Sequence, residues 1–267
     1  MNFAVSNMDI MGYIAALFIG ISLGLIGGGG SILTVPVLVY LFGVSPVIAT
    51  SYSLFVVGST SLIGSFNSWR RGLVDFKVAF LFGLSSITTV FITRKLIIPA
   101  IPEDIHIGVS TLHFSILTMV SFAVLMLLAS FSMIGSKTKH DEQNSKSHHT
   151  LILYGIGIGL VTGFLGAGGG FLLIPALVHL LHLSMKKAIG TSLLIIALNS
   201  LAGFIGDAGH FATNWLFLLS ISAIAIAGVF IGGLLSKTIN GTRLKKVFGW
   251  FVLAMGLYII IREVWFL

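Results

Sequence analysis

Apolar runs follow one another almost from end to end of this 267-residue chain, at about 10–43, 48–66, 74–93, 107–134, 151–183, 188–206, 213–235 and 247–261. So continuous a series leaves too little polar surface to coat a water-soluble domain. Composition makes the same point: 56% of residues are hydrophobic and 9% charged, with a mean hydropathy of +1.08, against roughly 25% charged residues in soluble domains. Soluble enzymes and nucleic-acid-binding domains are excluded, and the net charge of +7 calls first for a topological explanation. Backbone groups in lipid must pair within their own segment, so the runs are helices. The chain reads as an all-α polytopic membrane protein whose surroundings are the lipid bilayer. The absence of Cys removes disulfides, thiol catalysis and Cys-ligated metals. No basic stretch precedes Ile10, so the first run is expected to be a membrane segment rather than a cleaved signal.

Two runs, 10–43 and 151–183, exceed the roughly 20 residues of a single span. Each is interrupted by glycines: Gly27-Gly28-Gly29-Gly30 in one, Gly166-Ala167-Gly168-Gly169-Gly170 in the other. The interrupted runs align without gaps at an offset of 139. From Gly24 to Gly64 there are 16 identities in 41 positions, including Pro36 with Pro175 and Ser53 with Ser192. The chain is therefore a duplication: residues 1–136 form a first transmembrane repeat, 137–150 a polar linker, and 151–267 a second repeat. About eight hydrophobic segments result, two of them Gly-broken hairpins that are either re-entrant or doubly crossing.

Charge decides the relative orientation of the halves. If each broken run turns back at its glycines, 12 of the 15 Lys and Arg fall on one side. Only Arg94, Lys95 and Arg262 fall on the other. If each crosses once, the count is 8 against 7. The biased arrangement makes the repeats inverted, with both termini outside and the linker in the cytoplasm. Equivalent loops agree, since Arg70 and Arg71 align with Gly209 and His210, and Val47 and Ile48 with Lys186 and Lys187.

A glycine break inside a membrane leaves N–H groups unpaired, which is tolerated only where they are packed in protein or line a wet cavity. Helices restarting near Ser31 and Phe171 would aim free N–H groups and a positive dipole end at the break, an arrangement suited to an anion. Broken helices at matching places of an inverted repeat point to a transporter's binding site. The substrate-binding residues expected on this ground are Gly27, Gly28, Gly29, Gly30 and Ser31 in one half. Gly166, Gly168, Gly169, Gly170 and Phe171 are their counterparts. Thr50 and Ser51, with Thr191 and Ser192, lie at the start of the following helix, where hydroxyls could donate to an oxyanion or simply bond a carbonyl one turn back. The upstream stripes Ala16, Gly20, Gly24, Gly28 and Gly155, Gly159, Gly163, Ala167 have the spacing of close helix packing.

The segments GLIGGGGSILTVPVL and GFLGAGGGFLLIPAL, followed by ATSYSL and AIGTSLL, resemble the sulfite exporter TauE/SafE family of membrane transporters over essentially the whole chain. That resemblance implies movement of small sulfur-containing anions or organic sulfonates across the cytoplasmic membrane. A family stretch of the form Gly-x-Ile/Val-Asp is matched by Gly72-Leu73-Val74-Asp75, whereas the second copy reads Phe211-Ala212-Thr213-Asn214.

Other residues carry less. Asp207 and His210 at the outer end of a helix are candidates for proton coupling or members of a hydrated loop. Asn199, deep in its helix, suits a bond between helices. His179 and His182 lack a third metal ligand in sequence, and no metal or cofactor is expected. Gly20-Ile21-Ser22-Leu23-Gly24 spells the esterase elbow inside a membrane helix, without the strand and turn that chemistry requires. Ser236-Lys237-Thr238 lacks the glycine of a phosphate loop. The expected function is secondary transport of a small anion by alternating access, without covalent chemistry. A passive anion channel or a non-transporting scaffold is the alternative, and the oligomeric state is left open.

Overall fold

The structure is a computed structural model that describes residues 7–102, 104–107, 110–135, 148–181, 183–235 and 241–265. Residues 137–147 of the polar linker, His182 and Lys237 lie outside the described residues. The first half comprises α1 (Asn7–Ile26), a 3-10 turn (Gly28–Leu33) leading into α2 (Thr34–Tyr40), α3 (Pro46–Arg70) and α4 (Phe76–Ile92). From α4 a π-helical turn (Thr93–Ile97) and α5 (Ile98–Ala100) follow, then strands β1 (Asp104–Ile107) and β2 (Ser110–His113) and α6 (Phe114–Ile134). The second half comprises α7 (His148–Leu165), α8 (Gly170–Leu181), α9 (Met185–Gly206), α10 (Trp215–Leu235) and α11 (Gly241–Trp265).

Five of the described helices are long and apolar enough to cross a membrane, and shorter apolar helices cover 10–26, 30–40 and 151–165. The chain is an all-α polytopic membrane protein, with one antiparallel pair of four-residue strands that join Asp104 to His113 and Ile107 to Ser110. The apolar run at 107–134 thus begins in this small hairpin, and its helix starts only at Phe114. Phe18, Phe80, Leu84, Leu128 and Phe230 stand more than half exposed on helix faces. That is the outer surface a lipid-embedded protein presents, since hydrocarbon imposes no penalty on apolar exposure.

The two halves hold each other through reciprocal contacts. A Cβ at Gly20 of α1 would strike the Ala225 carbonyl of α10, and one at Gly159 of α7 would strike the Ser86 carbonyl of α4. Adding 139 to one pair gives the other with the helices exchanged. Gly24 likewise abuts Gly232 and Gly233 while Gly163 abuts Thr93, and Gly64 meets Leu193 and Val229 while Gly203 meets Leu54 and Val90. The small-residue stripes therefore serve close packing, α1 on α10 and α7 on α4.

Loops repeat the exchange. The Asp75 N–H donates to the Thr191 hydroxyl at 2.9 Å, and the Asn214 N–H donates to the Tyr52 hydroxyl at 2.9 Å. Each loop residue also caps its own helix: Asp75 Oδ1 accepts from Val78 N–H at 3.1 Å, and Asn214 Oδ1 from Phe217 N–H at 3.2 Å. An N-cap needs only a side-chain oxygen at that reach. Asn214 therefore does the work of Asp75, and the position is structural in both halves.

Candidate functional site

The chain turns at each glycine break because the last amide of the preceding helix closes one further bond and the next residues leave the helical range. Gly27 N–H donates to Leu23 O and Gly166 N–H to Thr162 O, both at 2.9 Å. Gly27 then takes φ 76°, and Gly166, Gly168 and Gly169 take φ 66°, 67° and 66°, a region that residues with a Cβ enter only at a cost. The restart differs between halves. Beyond Gly27 the chain winds as a 3-10 turn, becoming α-helical only at Thr34, whereas α8 is α-helical from Gly170. Ser31 donates its hydroxyl to Gly28 O at 2.7 Å, which steadies that tighter turn.

The two breaks touch. A Cβ on Gly28 would clash with the Gly170 Cα, and a Cβ on Gly170 with the Gly28 backbone. Ile196, midway along α9, lies against both Gly28 and Gly168. Gly27 packs on Ile189 and Gly166 on the Thr50 backbone, again a pair related by the repeat. Two fully buried hydroxyls flank the second break: Thr162 Oγ1 beside Gly169 and Ser200 Oγ beside Gly168. Neither has a hydrogen-bond partner. Of the first-turn amides of α8, those of Leu172 and Leu173 donate to the Gly169 carbonyl at 3.0 Å. Those of Gly170 and Phe171 begin the helix beside the two hydroxyls, since the first amides of a helix lack intrahelical acceptors.

The hydroxyls on the following helices divide. Thr50 and Ser192 donate back to the carbonyls of Val47 at 2.7 Å and Ile189 at 2.9 Å, and Thr191 accepts from the Asp75 loop. Ser51 is fully buried, its hydroxyl turned toward the Asp207 carboxylate. Asn199 reaches across to α4, donating to the Ser86 hydroxyl at 2.7 Å.

One of the three charges counted on the outer side is buried inside the protein. Arg94 is 1% exposed, and its Nη1 lies 3.1 Å from Asp207 Oδ2 and 3.1 Å from Thr50 Oγ1. Asp207 is therefore a buried partner rather than part of a hydrated loop, whereas His210 is exposed, its Nδ1 3.2 Å from the Asp207 carbonyl. The π-helical turn Thr93–Ile97 brings Arg94 inward while Lys95 remains exposed. The signal in the sequence is the apolar Leu96-Ile97-Ile98 that follows the two basic residues: the helix does not end at Arg94 but carries it within a span.

A separate cavity of about 470 Å³ lies between α1, α2 and α11, lined by Phe18, Ile19, Leu33, Val37, Phe251 and Met255 among others. Ser22 is the one polar side chain in its lining, so it offers an anion nothing in exchange for hydration.

Residues 13–259 match the family described as Sulfite exporter TauE/SafE. The chain belongs to that family. It is similar to a probable membrane transporter protein of Xylella fastidiosa (strain 9a5c), 30% identical over 257 residues and 92% of each chain. The probable membrane transporter protein YunE of Bacillus subtilis (strain 168) is 30% identical, covering 86% of this chain and 89% of its own. No solved structure matches this TauE/SafE family member. Family membership and the five apolar spans make it a multi-pass membrane protein.

Proposed function

We propose that this chain is a secondary transporter of small anions, sulfur-containing oxyanions or organic sulfonates, working by alternating access across the cytoplasmic membrane. Its relatives' names support the transporter class. The observation that carries the anion site is the meeting of the two glycine breaks, Gly28 on Gly170, with the unpartnered Thr162 and Ser200 hydroxyls beside it. A desolvated anion needs several N–H or O–H donors at once. The α8 amides at Gly170 and Phe171 and these hydroxyls supply them. Close backbone contact between the breaks fits an occluded state, and separating them toward one side and then the other would give alternating access.

The inverted arrangement, with termini outside and linker inside, is supported by the charge split. With Arg94 buried in an ion pair, only Lys95 and Arg262 remain on the outer side. Asp207, capping α9 beneath the exposed turn at 208–210, is the proposed coupling group, with His210 above it.

Counterflow in proteoliposomes tests the reading. Labelled sulfite, thiosulfate or an alkylsulfonate should accumulate against its own internal pool, which a passive channel cannot produce. Gly168→Leu should abolish this flux in a protein that still elutes as a single folded species. The atoms nearest its added Cβ are side-chain atoms of Val57, Ile196 and Ser200, and because Gly168 also holds φ 67° the flux is compared only in protein that elutes as that single species.

A further inference from the structure

We infer that Arg94 is itself a ligand of the transported anion, and that Asp207 is the counter-ion it holds while the site is empty. This rests on the reading of the chain as an anion transporter and adds to it the charged group and the geometry of recognition. Arg94 is buried to 1% exposure, yet only Nη1 is engaged; Nε and Nη2 have no partner. Buried guanidinium donors without acceptors are costly, and burial without full satisfaction is the exception in folded proteins. Nε–H and Nη2–H together form the edge of the guanidinium that meets two oxygens of one oxyanion in parallel bonds.

The surroundings fit that use. Ser51, on α3, turns a buried hydroxyl toward the Asp207 carboxylate, and Thr93 next to Arg94 has a buried hydroxyl without a partner. Thr50, whose hydroxyl accepts from Arg94, is the residue against which Gly166 of the second break packs. Above the pair, residues 208–210 are exposed. Arg94 therefore stands between an exposed turn and the glycine breaks, where an anion entering from that side would meet it first. A purely structural ion pair leaves Nε and Nη2 unexplained. An oxyanion accounts for both.

The repeat argues the same way. Positions equivalent to Arg94 and Asp207 are Gly233 and Ser68, so the fold holds that corner together in the other half without an ion pair. Packing alone does not require one.

The test is anion binding to purified protein by isothermal titration, with sulfite, thiosulfate, methanesulfonate and chloride as probes. Arg94→Gln/Asp207→Asn removes both charges while leaving neutral groups that can still bond each other, so it should fold. Its affinity for the oxyanions should fall about a hundredfold, the scale of two charge-assisted bonds. Asp207→Asn alone, with the guanidinium freed from its competitor, should bind them more tightly than wild type. Arg94→Lys, which lacks the paired edge, should lose preference for oxyanions over chloride. Wild-type affinity in the double variant would overturn the assignment of Arg94 and leave the glycine-break site standing. Wild-type protein that binds none of the four probes would overturn both readings.

Discussion

The two halves of this transporter agree contact for contact along α1 and α7, at the helix caps of Asp75 and Asn214, and at the loop bonds to Thr191 and Tyr52. They part company at one corner. Where α4 meets α9, a π-helical turn brings a buried arginine against an aspartate; where α10 meets α3, the same positions hold Gly233 and Ser68. On the duplication proposed from the sequence the two frameworks are equivalent, and the packing and capping contacts above recur in both. A charged pair maintained in only one serves something the framework does not need. That is the ground on which Arg94 and Asp207 are proposed to lie on the anion's path, since ionisable groups inside a membrane are functional-site hypotheses.

The largest break in the comparison should come from removing one partner of the pair. Arg94→Gln alone leaves the Asp207 carboxylate buried without its counter-charge, a loss of about 3–5 kcal/mol. Ser68→Ala at the matching corner should cost no more than about 1 kcal/mol, the worth of its bond to the Gly64 carbonyl. Reversible unfolding in mixed micelles would compare them. Equal losses at the two corners would contradict the asymmetry.

A smaller difference is expected at the breaks. Gly27→Ala and Gly166→Ala both force a Cβ into positive φ, at roughly 1–2 kcal/mol. At Gly27 the new atom meets the Ile189 Cγ2 methyl, which can turn aside, whereas at Gly166 it meets the Thr50 backbone carbonyl, which cannot. Gly166→Ala should therefore be the more destabilising in the same unfolding assay. Thr50 is also Arg94's neighbour, so Gly166→Ala should disturb anion affinity where Gly27→Ala does not.

The smallest effect probes where the halves agree. Tyr52→Phe and Thr191→Val each remove the acceptor of one loop N–H, costing about 1 kcal/mol. Tyr52 also packs against the Phe211 and Phe217 rings, contacts that Tyr52→Phe keeps, so the two losses should be alike. A large gap between them would mean that the reciprocal bonds are not equivalent.

Much of this was legible in the sequence for a definite reason. Glycines and prolines recurring at an offset of 139 are positional constraints on backbone, and backbone geometry is what a duplicated fold preserves. The Gly20 and Gly159 stripes announced close helix contacts because only small residues permit them. The Arg94–Asp207 pair was not legible in that way. Its partners are 113 residues apart, and neither has a charged counterpart in the other repeat, so the alignment that located the breaks was blind to it. Charge counting places Arg94 outside the span because the apolar run reads as ending at 93, although the helix continues through the π turn to Ala100. The short strands before Phe114 were hidden too, since an apolar run does not by itself distinguish a strand from a helix.

The central claim is that an anion crosses where Gly28 meets Gly170, and counterflow in proteoliposomes tests it most directly. Wild type and Gly168→Leu would be reconstituted at equal density and loaded with unlabelled sulfite, thiosulfate or alkylsulfonate. The account predicts transient, trans-stimulated accumulation of at least one labelled anion by wild type and none by Gly168→Leu. Equal accumulation by both proteins would contradict it.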